Sequence, residues 1–348
     1  MLNVGIIGVG GISPVHINKL KACDRAKIFA ICDIDKAKLK KVGDELEIPE
    51  QYRFENYMDL IHCPEVQAVE VCTPNYLHVP MSMEVVKAGK ALEVEKPLSV
   101  DYSDVEPLLK AIDEAKIPNM ICFSYRFYPA VRYAKHLLEK GALGKLVNVN
   151  IEYLKSTAFI PSRKLEWRFE KKYAGSGVLG DLGVHLIDMT RFLVGEFKSV
   201  CAMTSIVVDK RQREDSEEFG TVETDDLTSF IARLDNDVIA NFLVTRCAIG
   251  NDNTIKYEIY GTEGVISFNL NNPKEISLSL NGGKDRSKWK LETIPVPEEF
   301  FVDQEESFVA AALGETPEHL PYVTEGAKSQ KVVDAIFKSS EEGYMVHL

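Results

Sequence analysis

The sequence predicts a doubly wound, parallel α/β domain followed by an α+β domain with an open, mainly antiparallel sheet. Three observations carry this expectation. The chain opens on an apolar run that breaks into glycines, Val4-Gly5-Ile6-Ile7-Gly8-Val9-Gly10-Gly11-Ile12-Ser13. Continuously apolar runs then alternate with helical patterns as far as Phe123, as strands covered on both faces require. Beyond that point short strand-like runs follow one another with turn signals between them. A chain of 348 residues is long enough for two such domains, expected at 1–123 and 124–348.

In the first domain the spacing predicts strands at Leu2–Gly8, Lys27–Cys32, Ala68–Val71, Ala91–Val94 and Asn119–Phe123. Helices are expected between them at Pro14–Ala22, Lys36–Leu46, Val79–Ala88 and Val105–Glu114. Gly8-x-Gly10-x-x-Ser13 fits the turn of a Rossmann dinucleotide-binding domain. Its glycines let the backbone close on a pyrophosphate, and the following helix N-terminus offers free N–H groups and a positive dipole end. Ser13 departs from the usual Gly or Ala; it is small and suits an N-cap, with Pro14 in the first helical turn. Gly8, Gly10, Gly11 and Ile12 are therefore candidate cofactor residues.

Asp33 ends the second run, 23 residues after Gly10, and Ile34 follows it. A carboxylate there accepts hydrogen bonds from ribose hydroxyls and repels a 2′-phosphate, which favours NAD over NADP. Asp35 is available to cap the next helix. In such sheets ligands bind beyond the carboxyl ends of the strands. Two more segments lie there: Thr73-Pro74-Asn75 with His78, and Glu95-Lys96-Pro97. Lys96 stands where substrate and cofactor should meet, and the bond before Pro97 is a candidate cis peptide.

In the second domain Ser124-Tyr125-Arg126-Phe127-Tyr128-Pro129 leads into a helix at Ala130–Lys140. Strands are expected at Lys145–Tyr153, Val200–Val208, Asp226–Leu234, Val238–Thr245, Ile255–Tyr260, Val265–Asn269 and Ile276–Leu280, with a turn at Asn281-Gly282-Gly283. Two helices, Gln304–Leu313 and Thr324–Ser340, close this domain. The acidic stretch from Arg213 to Glu218 reads as a solvated loop. From Ala174 to Asp188 a Gly-rich loop enters a helix that stops at Gly195, placing Asp181, His185 and Asp188 on one face. A carboxylate so placed orients an imidazole and supports its charged form, as a general base requires. No third or fourth ligand stands at a recognisable spacing, so no metal is expected there.

A net charge of −12 argues against a nucleic-acid partner, which needs clustered Lys and Arg. No apolar run reaches the roughly 20 residues of a membrane span. The seven cysteines are scattered without a C-x-x-C pair, so buried reduced thiols and a reducing cytoplasm are expected.

Taken together, Gly8-Val9-Gly10-Gly11-Ile12-Ser13, Thr73-Pro74-Asn75-x-x-His78, Glu95-Lys96-Pro97 and Gly177-x-x-Gly180-Asp181-x-Gly183-x-His185-x-x-Asp188 resemble the glucose–fructose oxidoreductase, inositol dehydrogenase and rhizopine-catabolism family (Gfo/Idh/MocA). The resemblance implies an NAD-dependent oxidoreductase of a sugar or cyclitol, with Lys96, Asp181 and His185 as the catalytic trio. It implies substrate contacts at Tyr125, Arg126, Trp167 and Arg168. It also implies a homodimer or homotetramer formed through the second-domain sheet. An NAD-dependent glycosidase and a non-catalytic, cofactor-bound sugar sensor are the alternatives.

Overall fold

The apolar runs of the first half form six parallel strands: β1 (Leu2–Ile7), β2 (Ala26–Cys32), β3 (Arg53–Phe54), β4 (Ala68–Val71), β5 (Ala91–Val94) and β6 (Asn119–Ile121), in the order β3-β2-β1-β4-β5-β6. Helices α1 (Ser13–Ala22), α2 (Lys36–Glu45), α3 (Tyr57–His62), α4 (His78–Lys87) and α5 (Val105–Ala115) connect them. The computed structural model describes residues 1–214, 216–280 and 289–348; the turn expected at Asn281-Gly282-Gly283, and Asp215 of the acidic stretch, lie outside the described residues. The sequence reading misses β3, which is two residues long, and α3, whose first turn is capped by Asn56 Oδ1 accepting from Met58 N at 3.1 Å.

Two expectations about the first unit need correction. Ser13 is not the N-cap: Ile12 holds that position, and the Ser13 hydroxyl donates to Gly10 O at 2.9 Å, bracing the glycine turn. β4 and β5 are not continuously apolar either. Glu70 and Glu93 sit at their third positions, paired in register and fully buried.

The chain divides into Met1–Cys122 with Asp303–Lys328, and Phe123–Val302 with Ser329–Leu348. The first boundary lies one residue from the expected one. Residues 303–328, however, group with the first unit, because the Gln304–Ala312 helix packs against α1 and β6.

The second unit opens with α6 (Pro129–Glu139), β7 (Leu146–Leu154), short α7 (Lys171–Ala174) and α8 (Val184–Leu193). Strands β8 (Phe197–Ser205), β11 (Leu227–Leu234), β12 (Ile239–Thr245), β13 (Thr254–Gly261), β14 (Gly264–Asn269), β15 (Glu275–Ser279), β16 (Glu292–Pro295) and β17 (Val346–His347) join β7 in one nine-stranded sheet. β9 (Lys210–Gln212) and β10 (Phe219–Thr221) form a separate hairpin. Among the described residues every pairing in the large sheet is antiparallel except β7 with β12. Alternation along β11 buries Phe230, Ala232 and Leu234 and exposes Ile231, as a sheet with one covered face demands. The last helix runs Val323–Glu342.

Candidate active site

The glycine turn after β1 is tight on one side and open on the other. Gly8 has φ +92°, and a Cβ there would stand 2.7 Å from Cys72 O. A Cβ on Gly10 or Gly11 would meet no atom within 4 Å, so their side of the turn is open. Among the described residues no side chain caps the first amides of α1. Asp33 Oδ2 accepts from Val9 N and its Oδ1 from Asp35 N, both at 2.9 Å, which fixes the carboxylate beside the turn. Ile34, next to it, is 91% exposed. Asp35 caps α2 through Ala37 N and Lys38 N, as expected. These residues fit a dinucleotide, with the open glycines and uncapped amides on its phosphates and Asp33 at a ribose. Gly8→Ala is expected to cost about 1–3 kcal/mol of stability and to weaken NADH binding; thermal unfolding and NADH fluorescence titration check both.

The loops beyond β4 and β5 are tied together by one ring. His78 is 1% exposed, and its Nδ1 and Nε2 lie 2.7 Å from Pro97 O and 2.8 Å from Thr73 O. Burial pushes its pKa down. His78 thus holds the Thr73-Pro74-Asn75 loop against the Lys96-Pro97 turn, whose peptide bond is cis. Glu95 is likewise turned inward. Its Oε1 meets His16 Nε2 at 2.9 Å and its Oε2 accepts from Lys96 N at 3.0 Å. Burial alone would raise its pKa, but the hydrogen bond from His16, aided by Lys96, holds it below the usual carboxylate range. Glu95 therefore anchors the backbone from which Lys96, half-buried, projects.

In the second unit the Gly-rich segment does not form one regular helix. Leu179–Gly183 is a π-helical turn, and α8 follows it. Such turns recur at functional sites because they re-aim side chains. Asp181 lies on the turn and is exposed, whereas His185 and Asp188 on α8 are 6% and 1% exposed. Asp225 fixes the turn: its carboxylate accepts from Gly177 N (2.6 Å), Leu179 N (3.0 Å) and Thr228 Oγ1 (2.8 Å). A Cβ on Gly177 would stand 1.9 Å from Asp225 O, so only glycine fits.

The His185 ring packs on Tyr125 with centroids 4.4 Å apart. Tyr125 Oη is 2.7 Å from Tyr153 Oη, which donates to Asn253 Oδ1 at 2.9 Å. Burial, with the charge of Asp181 adding to it, pushes the Tyr125 hydroxyl up to about 12 and Tyr153 higher still. Both therefore stay protonated beside Asp181. A cavity of about 230 Å³ opens at this turn, lined by Asp181, Lys155, Thr157, Arg163 and Arg246 among others. Arg126 does not line it. Arg126 is 4% exposed and its guanidinium is forked onto Asp188, Nε–Oδ2 2.7 Å and Nη2–Oδ1 2.5 Å. Trp167 and Arg168 stack on one another, with the guanidinium 4.4 Å over the ring, and Arg168 also binds Glu166. Sequence reasoning missed Asp225, Tyr153 and Lys155; only the Gly-rich pattern hinted that something must hold that loop.

The family model described as an oxidoreductase family with an NAD-binding Rossmann fold matches residues 2–121, and the GFO/IDH/MocA C-terminal domain matches 131–267. Levoglucosan dehydrogenase of Pseudarthrobacter phenanthrenivorans is 33% identical over 297 residues, covering 80% of this chain and 76% of that protein. The chain belongs to the Gfo/Idh/MocA oxidoreductase family. Another member, myo-inositol 2-dehydrogenase of Thermotoga maritima, is 28% identical over 267 residues, 76% of this chain and 74% of its own. Among solved members, levoglucosan dehydrogenase in complex with NADH and L-sorbose superposes with a TM-score of 0.91 at 28% identity, covering 100% of this chain and 98% of the other. Membership makes the first unit an NAD-binding domain and the chain an oxidoreductase acting on CH–OH groups.

Proposed function

We propose that this oxidoreductase moves a hydride between nicotinamide and a carbinol carbon of a sugar or cyclitol, with His185 as the acid–base group. The observation that carries the reading is the environment of His185. It is a nearly buried imidazole stacked on a tyrosine, on a helix entered through a π turn. That turn bears Asp181, which lines a cavity rich in polar side chains. Bound NAD supplies the hydride acceptor. His185 takes the hydroxyl proton as the carbinol is oxidised and returns it in the reverse direction. Lys96 hydrogen-bonds the reacting oxygen and stabilises its developing negative charge. Asp181 supports the charged form of His185. Tyr125, locked by Tyr153, sets the face of the imidazole.

The names of the relatives point to anhydrosugars and inositols as the first compounds to test. A panel of inositols, aldoses and anhydrosugars, each with NAD and with NADP, is followed by reduced-nicotinamide absorbance. Turnover of at least one ring alcohol with NAD is expected. With Asp33 held beside the glycine turn, NAD is expected to outperform NADP by at least about tenfold in kcat/KM, since a 2′-phosphate would meet its carboxylate. A flat trace across the panel would remove the dehydrogenase reading, and parity of the two cofactors would remove the role of Asp33. The family resemblance further implies assembly through the second-unit sheet. Met203 and Ile231 stand exposed on one face of strands β8 and β11, which supports an oligomer with that face covered.

A further inference from the structure

Beneath the glycine turn the first unit buries four ionisable side chains that the reaction does not use. Glu70 on β4 and Glu93 on β5 lie side by side in parallel register. His16 comes from α1, and Glu305 comes from the Gln304–Ala312 helix. In the order Glu70, Glu93, His16 and Glu305, their exposures are 0%, 0%, 3% and 1%. One ligand atom from each lies within 4.8 Å of all the others. His16 Nδ1 is 3.2 Å from Glu70 Oε2 and 3.5 Å from Glu305 Oε1.

Hydrogen-bond accounting shows what this cluster lacks. Glu93 Oε1 accepts from Gln304 Nε2 (2.8 Å) and Cys122 Sγ (3.2 Å). No well-aligned hydrogen-bond donor among the described residues serves Glu93 Oε2, either oxygen of Glu70, or either oxygen of Glu305. Buried polar groups are satisfied almost without exception, and an unpaired buried carboxylate is among the costliest to leave. Three carboxylates in mutual contact cannot all be ionised without a compensating positive charge. The imidazole supplies at most one such charge.

We propose that this cluster is a binding site for a first-row divalent cation of the manganese-to-zinc series. Its ligands are His16 Nδ1 and one carboxylate oxygen each from Glu70, Glu93 and Glu305. Two further features favour a cation. His16 Nε2 faces Glu95 Oε1 at 2.9 Å, the arrangement in which a ligating histidine gives its other N–H to a carboxylate and keeps the remaining nitrogen for the metal. The donor set of one imidazole and three carboxylates suits manganese, iron, cobalt or zinc better than magnesium or calcium, which take all-oxygen shells. Ligands about 2.0–2.2 Å from a common ion lie within about 4 Å of one another, so the glutamates need close by less than about 1 Å. The ion would bind the Gln304–Ala312 helix, late in the chain, to strands laid down early.

The test is metal analysis of untagged protein grown with trace manganese, iron, cobalt and zinc. The expected result is close to one such ion per chain. Unfolding in a chelator and refolding without metal is then expected to lower Tm by several degrees, with Mn²⁺ or Zn²⁺ restoring it. Glu305→Gln and Glu70→Gln are expected to abolish ion retention; both preserve side-chain volume and remove a charge. Less than about a tenth of an ion per chain in the wild type, with Tm indifferent to refolding in Mn²⁺ or Zn²⁺, overturns the proposal in favour of carboxylates that share protons. The wild-type result decides even if a variant fails to fold. It is read without turnover, so it is separable from the fate of the dehydrogenase reading.

Discussion

His185→Gln is expected to lower kcat by about 10²–10⁴-fold, the usual range for losing a positioned acid–base group. The substitution keeps a polar side chain of similar reach on α8 and removes the ring proposed to accept the proton. Its surroundings make the effect specific. The ring is 6% exposed, stacked on Tyr125 at 4.4 Å and edged by Phe123 at 6.3 Å, so little bulk water reaches it to act as a substitute base. Tyr125 and Tyr153 cannot replace it, because burial keeps both hydroxyls protonated through the neutral range. The residues proposed to hold the cofactor, from Gly8 to Asp33 and on to Lys96, belong wholly to the other unit. NADH affinity measured by fluorescence is therefore expected to stay within about threefold of wild type while turnover collapses. Turnover within a few fold of wild type would remove His185 from the chemistry. Parallel loss of NADH binding would mean that the substitution had disturbed the fold.

What the sequence made legible was whatever chemistry is encoded locally. Gly8 and Asp33 follow from a turn and a spacing that one βαβ unit imposes on itself. The Glu95-Lys96-Pro97 turn and the Gly-rich run before His185 are likewise contiguous, so their identity survives without knowledge of the fold. Partners far apart in the chain were invisible. Nothing in the segment around Arg126 shows that Asp188, on α8, pairs with its guanidinium. Nor does the segment around His78 show that the carbonyl of Pro97, in another loop, fixes it. The cluster of His16, Glu70, Glu93 and Glu305 draws on two strands and two helices, and a search for ligand spacings cannot find it. Residues 303–328 read as the tail of the second domain, since no local signal marks a chain that turns back to an earlier sheet.

Asp188→Ala is expected to destabilise the second unit by about 3–5 kcal/mol, the cost of leaving a buried charge without its partner. Asp188 is 1% exposed, and it faces Arg126 at 2.5 and 2.7 Å and Arg191 at 4.0 Å. Removing it leaves two buried cations near one another. Glu196 compensates Arg191 through its Nε and Nη2, whereas Arg126 loses its forked carboxylate and retains the face of Phe192, 4.9 Å away. For a unit of this size the loss corresponds to a fall in Tm of about 6–20 °C. Replacing both partners, Arg126→Met with Asp188→Leu, is expected to recover most of that loss, because an apolar pair of similar volume carries no desolvation penalty. A double-mutant cycle by thermal or urea unfolding measures the coupling. Additive single and double effects would show that the fork contributes little. The pair also bears on catalysis, for Arg126 follows Tyr125 directly and Asp188 lies one helical turn beyond His185. The fork thus fixes the tyrosine turn against α8 at the point where their rings meet. The apolar double variant is expected to regain stability yet keep a lowered kcat, since Met and Leu can fill the space but cannot hold the 4.4 Å stacking of Tyr125 on His185 in register. Full recovery of kcat along with stability would show that packing alone sets the imidazole.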